Sequence, residues 1–244
     1  MDKKNVDLLP FGYYLKQINT YDLFTVFSDF LTLNICCFSN VRKDDEYFKI
    51  IRKYSNDEIH LFSHAFSAVI YEADNNGMGF KDPFGDFFQE HFRDEYKGQF
   101  FTPECVSDLI TKIIYRGDGR DVYDPCCGSG RLFLAHAQNC NREEHYYIGY
   151  DISYLCCQMA LINLCLNSMR GEIIWGNSLT FETWCRWLVV VDDVLKIPFI
   201  YQVEKDKNNT PEDVQNVEFM EIKQTEMKPL KPAISQDIGY VIFS

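Results

Sequence analysis

One short segment constrains the fold of this chain more than any other. Residues 123–130 read Tyr-Asp-Pro-Cys-Cys-Gly-Ser-Gly and include the end of a strand predicted over residues 121–126. In a doubly wound sheet the carboxyl ends of the strands form the ligand crevice, and a glycine-rich turn there lets a ligand approach the backbone. The segment therefore predicts an α/β fold with a binding site at this strand end.

The residues around this segment support a parallel sheet with crossover helices, the Rossmann-like arrangement. Short β patterns alternate with helical patterns from residue 98 onward, which is typical of such a sheet. The predicted strands are 121–126, 146–152, 172–176 and, less regularly, 188–195; the predicted helices are 131–139 and 153–167. A further helix is predicted to start at Thr102-Pro103 and to bury Val106, Leu109, Ile110, Ile113 and Ile114.

The first hundred residues are predicted to be helical. Apolar residues recur at about 3.6-residue spacing over Leu23–Phe38. Ser55 and Glu58 form a predicted capping box before a second helix. We therefore expect three regions: a helical region at 1–97, a sheet domain at 98–201, and a loop with short strands at 202–244.

Composition narrows the possible functions. The chain has 24 Lys and Arg against 36 Asp and Glu, a formal net charge of −12. Non-specific affinity for nucleic acid comes mainly from cations that neutralise phosphates, so a basic groove or a basic partner would be needed for DNA binding. The 10 Cys show no Cys-x-x-Cys spacing, which favours reduced thiols. With no apolar segment of signal-peptide or membrane-spanning length, we expect a cytoplasmic protein that contacts no membrane.

Three consecutive predicted strands end in polar residues of different chemistry. Asp124 beside the glycine turn suits an amino group, Asp151 can accept hydrogen bonds from ribose hydroxyls, and the Asn177 amide can meet an adenine edge. Gly and Asp are also common in ordinary strand-to-helix turns, but three strand ends in this order favour a nucleotide-like site. A cationic amino acid, a ribose and an adenine together describe S-adenosylmethionine.

Four ordered motifs resemble those of a known family. They are Gly-Gln-Phe-Phe-Thr-Pro at 98–103, the segment at 123–130, Gly-Tyr-Asp-Ile at 149–152 and Gly-Asn-Ser-Leu at 176–179. Together they are similar to the N6-adenine DNA methylases, specifically the modification subunits of type I restriction systems. The segment at 82–90 resembles the end of the helical domain of those subunits. The resemblance covers roughly residues 80 to 180.

The resemblance also implies roles for individual residues. The turn at 101–103 and the loop at 124–130 would hold the methionine end of the cofactor, Asp151 the ribose and Asn177 the adenine. The residues expected to bind the cofactor are Phe101, Thr102, Pro103, Asp124, Pro125, Gly128, Ser129, Gly130, Asp151, Ile152, Asn177 and Ser178.

The catalytic motif departs from the family pattern. Family members carry Asn/Asp-Pro-Pro-Tyr/Phe, whose polar groups accept hydrogen bonds from the adenine amino group and whose aromatic ring stacks on the flipped base. The printed sequence lacks this tetrad, and its nearest match is Lys196-Ile197-Pro198-Phe199. Lysine only donates hydrogen bonds, so Pro198 and Phe199 are the remaining candidates for base contact. Asp192 or Asp193 could replace the acceptor, but the simpler interpretation is that both are surface or turn residues near a strand end.

These observations lead to two functional hypotheses. The first is an S-adenosylmethionine-dependent DNA adenine-N6 methyltransferase, or a methylase subunit, that reaches duplex DNA through a specificity or other protein subunit. The alternative is an inactive relative that binds the cofactor and acts through protein partners. Few residues follow Phe199, so we expect a sheet truncated at its C-terminal end. His60 and His64 could share a metal, but no third ligand is apparent, and no metal site is predicted.

Overall fold

A computed structural model describes residues 9–92, 101–114 and 121–203. The predicted turn at 117–119, the loop at 204–213 and the late strands at 217–223 and 239–243 lie outside these residues. So do residues 98–100 of the first motif and the boundary expected between residues 97 and 98.

The described residues form eight α-helices, two short 3-10 helices and five strands. The α-helices are α1 (Phe11–Leu15), α2 (Leu23–Phe38), α3 (Asp44–Ile51), α4 (Asn56–Asp74), α5 (Pro83–Phe92), α6 (Glu104–Ile114), α7 (Arg131–Gln138) and α8 (Tyr154–Leu166). The strands are β1 (Asp121–Asp124), β2 (Tyr146–Asp151), β3 (Gly171–Asn177), β4 (Glu182–Val191) and β5 (Pro198–Val203). The 3-10 helices are Asn75–Gly77 and Arg142–Glu144.

The five strands form one sheet in the order β1-β2-β3-β4-β5. Strands β1, β2 and β3 are parallel and are joined by α7 and α8, as the alternating pattern predicted. Strands β4 and β5 are antiparallel to their neighbours. The molecule is therefore an α/β structure with helices preceding the sheet, in agreement with the expected fold class.

The prediction for the fourth strand was wrong in its bounds. The strand starts at Glu182 and ends at Val191, instead of covering 188–195. Only four residues separate β3 from β4, and so short a connection joins antiparallel strands. The backbone N–H groups of Val194 and Leu195 donate to Asp192 Oδ1, so Asp192 and Asp193 lie in the turn after β4, as the simpler interpretation held.

One hydrophobic core joins the N-terminal helices to the sheet. Helix α2 buries Phe27, Phe30 and Leu31 and packs on α8, which in turn covers β3. Because α8 is covered on both sides, apolar residues surround it almost completely. The described residues between 9 and 203 belong to one compact unit. Among the described helices, none is both long enough and apolar enough to cross a membrane.

Helix α6 contradicts its predicted burial. Val106, Leu109 and Ile113, expected to face inward, are 40%, 58% and 71% exposed. Helix α6 packs mainly on α7, and β1 is the edge strand of the described sheet. No described element therefore covers this apolar face.

The predicted capping box at the start of α4 is confirmed. Ser55 Oγ accepts from the Glu58 backbone N–H, and the Glu58 carboxylate accepts from the Ser55 N–H. The same carboxylate accepts from the Thr20 hydroxyl at 2.7 Å. These hydrogen bonds, that from Thr20 first, lower the pKa of Glu58 from 4.5 to about 2.

We expect Glu58→Gln to reduce the stability of the protein near neutral pH more than in acid. A carboxyl group whose pKa is lowered by folding stabilises the folded state above its unfolded pKa. That contribution is lost as the pH falls from 4.5 through about 2. Urea unfolding of both proteins across this pH range measures the difference, with the neighbouring exposed Asp57→Asn as the control. An unchanged difference across the range would contradict the prediction.

Candidate functional site

The three predicted polar residues lie at the end of the sheet formed by the carboxyl ends of the parallel strands. Asp124 ends β1, Asp151 ends β2 and Asn177 ends β3. The three strands are parallel and adjacent, so their carboxyl ends face the same side. The structure thus brings together the acids and the amide that the sequence analysis assigned to one ligand.

The glycine-rich loop after β1 folds over the end of β2. The Cys127 backbone N–H donates to the Tyr150 carbonyl oxygen at 2.8 Å, and the Gly128 N–H donates to Asp151 Oδ2 at 2.8 Å. Gly128 and Gly130 have φ angles of +55° and +84°, the left-handed region where glycine avoids a steric penalty. The fold of this loop therefore depends on its glycines.

The turn that contains Phe101 contacts this loop. A Cβ added at Gly128 would lie 3.1 Å from ring carbons of Phe101. The Thr102 carbonyl oxygen accepts from Arg131 Nη1 at 3.2 Å, and the Pro103 carbonyl accepts from the first turn of α6. Two segments that the sequence analysis assigned to one part of a cofactor are therefore neighbours.

The two carboxylates of the site are held in a poorly solvated environment. Burial raises the pKa of Asp124, and the nearby charge of Asp151 raises it further, while the hydrogen bond from the Cys126 N–H lowers it. Burial also raises the pKa of Asp151, against hydrogen bonds from the Ser153 and Gly128 N–H groups. Two ionised carboxylates in such a place favour a ligand with positive charge.

The end of β3 carries Asn177 and a group of apolar side chains. Asn177 Oδ1 accepts from the Leu179 N–H at 3.0 Å, so this side chain also stabilises the turn after β3. Trp175 Nε1 donates to the Ile152 carbonyl at 3.1 Å. Residues Ile152 and Leu179 are 62% and 88% exposed, which leaves apolar surface beside the strand ends.

The buried carboxylate of Asp82, just before α5, holds the glycine-rich loop in place through hydrogen bonds. Asp82 is 1% exposed, and four donors surround its two oxygens. Oδ1 accepts from the Gly85 N–H at 3.0 Å and from Asn163 Nδ2 at 2.8 Å. Oδ2 accepts from the Ser129 hydroxyl and from Arg131 Nε. Ser129 is thus a fully buried anchor of the loop.

Sequence reasoning did not assign this role to Asp82. The residue stood in a segment singled out only for its resemblance to a helical-domain end. A buried acid shared among a loop, α5, α7 and α8 becomes visible only when those elements are placed together. The available sequence signal was an Asp directly before Pro83, an order of residues typical of the start of a helix.

The predicted base-contacting residues lie elsewhere. Pro198 and Phe199 begin β5 and pair with Val191 and Val190 at the end of β4. Because β4 is antiparallel to β3, this end of β4 lies beside the start of β3. Lys196 forms an ion pair with Glu143 at 3.1 Å, just before β2. Pro198 and Phe199 therefore lie at the end of the sheet where β3 begins. Asp124, Asp151 and Asn177 lie at the other end, where β1, β2 and β3 finish.

Comparisons with known proteins identify the family. The model of the N-6 DNA Methylase family matches residues 81–235, more than half of the chain. The chain belongs to the N-6 DNA Methylase family. The matched stretch contains Asp82 and all three strand ends, whereas helices α1 to α4 precede it.

Two curated relatives and one solved structure resemble this family member. The Mycoplasma pneumoniae type I restriction enzyme MpnII methylase subunit is 30% identical over 95 residues, 36% of this chain and 18% of the relative. The Haemophilus influenzae HindI methylase subunit is 27% identical over 169 residues, 59% and 37% of the two chains. The chain thus spans well under half the length of these relatives. The Streptococcus thermophilus type I restriction-modification methyltransferase subunit is 16% identical with a TM-score of 0.32, covering 65% of this chain and 54% of its own.

Proposed function

We propose that this chain binds S-adenosylmethionine and is the cofactor-binding part of a DNA adenine-N6 methyltransferase. One observation carries the proposal: Asp124, Asp151 and Asn177 end three adjacent parallel strands and so lie at the same end of the sheet. Family membership and relatives described as type I restriction enzyme methylase subunits support the same activity.

The residues of the site fit this cofactor. Asp124 and Asp151 are carboxylates with raised pKa values, and the cofactor carries an ammonium and a sulfonium. Each carboxylate oxygen has two lone pairs, so Asp151 can hold the Gly128 N–H and a ribose hydroxyl together. Phe101 closes over Gly128, where even a methyl group would be crowded. When bound, the cofactor supplies the methyl group.

Each segment of the site has a distinct part in this proposal. Asp124 binds the ammonium, Asp151 binds the ribose hydroxyls, and Asn177 lies beside the adenine. Pro125, Gly128, Ser129 and Gly130 shape the loop, Phe101, Thr102 and Pro103 border it, and Ile152 and Ser178 flank the nucleoside. Cys127 is 5% exposed and burial raises its pKa well above 9.0, so its thiol stays neutral and acts as a packing group.

Contacts to the target base are proposed to come from outside the described residues. The printed sequence lacks the Asn/Asp-Pro-Pro-Tyr/Phe tetrad. Pro198 and Phe199 lie at the opposite end of the sheet from the carboxyl ends of β1, β2 and β3. The formal net charge of −12 also opposes unaided DNA binding. We therefore propose that duplex DNA is reached with a specificity or other protein subunit of a restriction-modification complex.

We expect Asp151→Ala to weaken S-adenosylmethionine binding by about tenfold or more, equivalent to at least about 1.4 kcal/mol. The substitution removes the acceptor for the ribose and also releases the Gly128 N–H. Calorimetric titration of both proteins measures the change. Asp121→Ala is the matched control, because Asp121 is an exposed acid at the opposite end of the adjacent strand β1. Absence of binding to the unsubstituted protein, or equal losses in both variants, would contradict the proposal.

Methyl transfer is tested separately from binding. The chain is combined with candidate specificity subunits, duplex DNA and cofactor carrying a labelled methyl group. Label on adenine N6 that disappears with Asp151→Ala supports the methyltransferase. Cofactor binding without transfer in any combination would instead favour the inactive relative that acts through protein partners.

A further inference from the structure

Three side chains with metal-binding atoms meet near the start of β2, at the opposite end of the sheet from the proposed cofactor residues. His136 lies in the last turn of α7, Cys140 follows that helix, and His145 directly precedes β2. One ligand atom from each residue lies within 4.8 Å of the other two. His136 Nδ1 is 3.2 Å from Cys140 Sγ, and the two imidazole rings have centroids 4.8 Å apart.

We propose that His136, Cys140 and His145 form a binding site for a thiophilic divalent cation of the zinc class. One thiolate and two imidazoles are a donor set that Zn²⁺ prefers. Ligand atoms around a tetrahedral zinc are separated by about 3.3–3.8 Å, given bond lengths of about 2.0–2.3 Å. The 3.2 Å between His136 and Cys140 is already close to this spacing.

The site is largely built by the fold. His136 and His145 are 9% and 7% exposed, and Cys140 is half-buried. The Tyr147 ring is fully buried against Phe133. The Tyr147 hydroxyl lies 3.3 Å from His136 Nδ1 and 3.9 Å from Cys140 Sγ. A cation bound here would take three protein ligands, with water or this hydroxyl beside the fourth position.

The position of the site indicates its role. Helix α7 leaves the cofactor loop at Arg131 and ends near His136, and β2 returns to the same loop at Asp151. A cation held by these three residues would join the end of α7 to the start of β2. It would stabilise the α7–β2 connection without touching Asp124 or Asp151. The inference therefore stands independently of the proposed methyltransferase activity.

Metal binding here has a defined proton balance. Cys140 must bind as a thiolate, so its Sγ–H proton is released to solvent as the metal–sulfur bond forms. Both imidazoles bind in their neutral form and lose no proton. No electron is transferred, because Zn²⁺ has no redox chemistry.

Cobalt(II) titration of the metal-free protein tests the site directly. We expect one Co²⁺ per chain, with a thiolate-to-cobalt absorption band and the visible bands of tetrahedral coordination, all displaced by Zn²⁺. Cys140→Ser should abolish the thiolate band, and His145→Gln should weaken binding by at least about tenfold, the lower end of the loss caused by removing even a supporting residue.

Two control variants match the ligand types. His60→Ala alters an exposed histidine of the His60 and His64 pair, and Cys105→Ser removes an exposed thiol. Both should leave the spectrum and the stoichiometry unchanged. Binding without saturation at one ion per chain, or a thiolate band that survives Cys140→Ser, would overturn the proposal. If Cys140→Ser alters the circular dichroism of the metal-free protein, His145→Gln decides the question, and unchanged cobalt affinity in that variant would also overturn it.

Discussion

Replacing Asp82 with Asn will lower the free energy of unfolding by about 3 kcal/mol, the lower end of the cost of breaking a buried ion pair. The Asp82 carboxylate is 1% exposed and accepts four hydrogen bonds. An asparagine amide turns one oxygen into a donor, which then faces two other donors. It also removes the charge paired with Arg131, whose side chain is 8% exposed. Urea unfolding measures the loss.

Asp86→Asn is the matched control for this prediction. Asp86 pairs with the same guanidinium at 2.7 Å but is 50% exposed. Exposed ion pairs contribute about 1 kcal/mol or less, so this substitution should cost correspondingly little. Equal costs for the two substitutions would show that Asp82 is not the centre of the network. Because Ser129 binds Asp82, Asp82→Asn should also weaken S-adenosylmethionine binding, whereas Asp86→Asn should not.

Gly85→Ala will destabilise the protein by about 1–3 kcal/mol, the usual cost of overpacking a core. Gly85 lies in the first turn of α5, where helix propensity alone predicts that alanine would stabilise the helix by up to about 1 kcal/mol. A Cβ at this position would overlap Asp82 Oδ2 and lie 2.8 Å from Arg131 Nη2. The buried network cannot shift without losing hydrogen bonds, so the clash outweighs the propensity.

A double-mutant cycle identifies the cause of this destabilisation. In the Asp82→Ala background the oxygen that overlaps the new methyl group is absent. We therefore expect Gly85→Ala to cost less there than in the unsubstituted protein, with a coupling of about 0.5–3 kcal/mol. Equal costs in both backgrounds would assign the effect to the backbone of α5 instead. Thermal or urea unfolding of the four proteins provides the measurement.

The sequence predicted the common location of three polar residues because the signals for that location are local. Asp124, Asp151 and Asn177 each follow a β pattern, and parallel strands bring their carboxyl ends together whatever the details of packing. Glycines at 128 and 130 mark a backbone that needs positive φ angles. The Ser55 and Glu58 capping box depends on residues three apart. Such signals do not depend on distant parts of the chain.

The placement of Phe199 and of α6 depended on distant contacts. Because the β3–β4 turn is short, β4 runs antiparallel to β3 and ends beside the start of β3. Pro198 and Phe199 pair with this end of β4, so they lie at the opposite end of the sheet from Asp124. Val106 and Ile113 form an apolar helix face, yet burial depends on a neighbouring element, and none of the described residues covers them. Periodicity shows which face of a helix is apolar and does not show what packs against it.

By itself, the sequence determined the α/β class, the helical start and the polar residues at three strand ends. Each follows from backbone preferences and periodicity over a few neighbouring residues. Only the tertiary structure showed that Asp82 holds Ser129 and Arg131, 47 and 49 residues away, and that His136, Cys140 and His145 meet beside β2. The physical reason is that buried polar groups must find partners wherever the fold provides them, and sequence distance does not limit that choice.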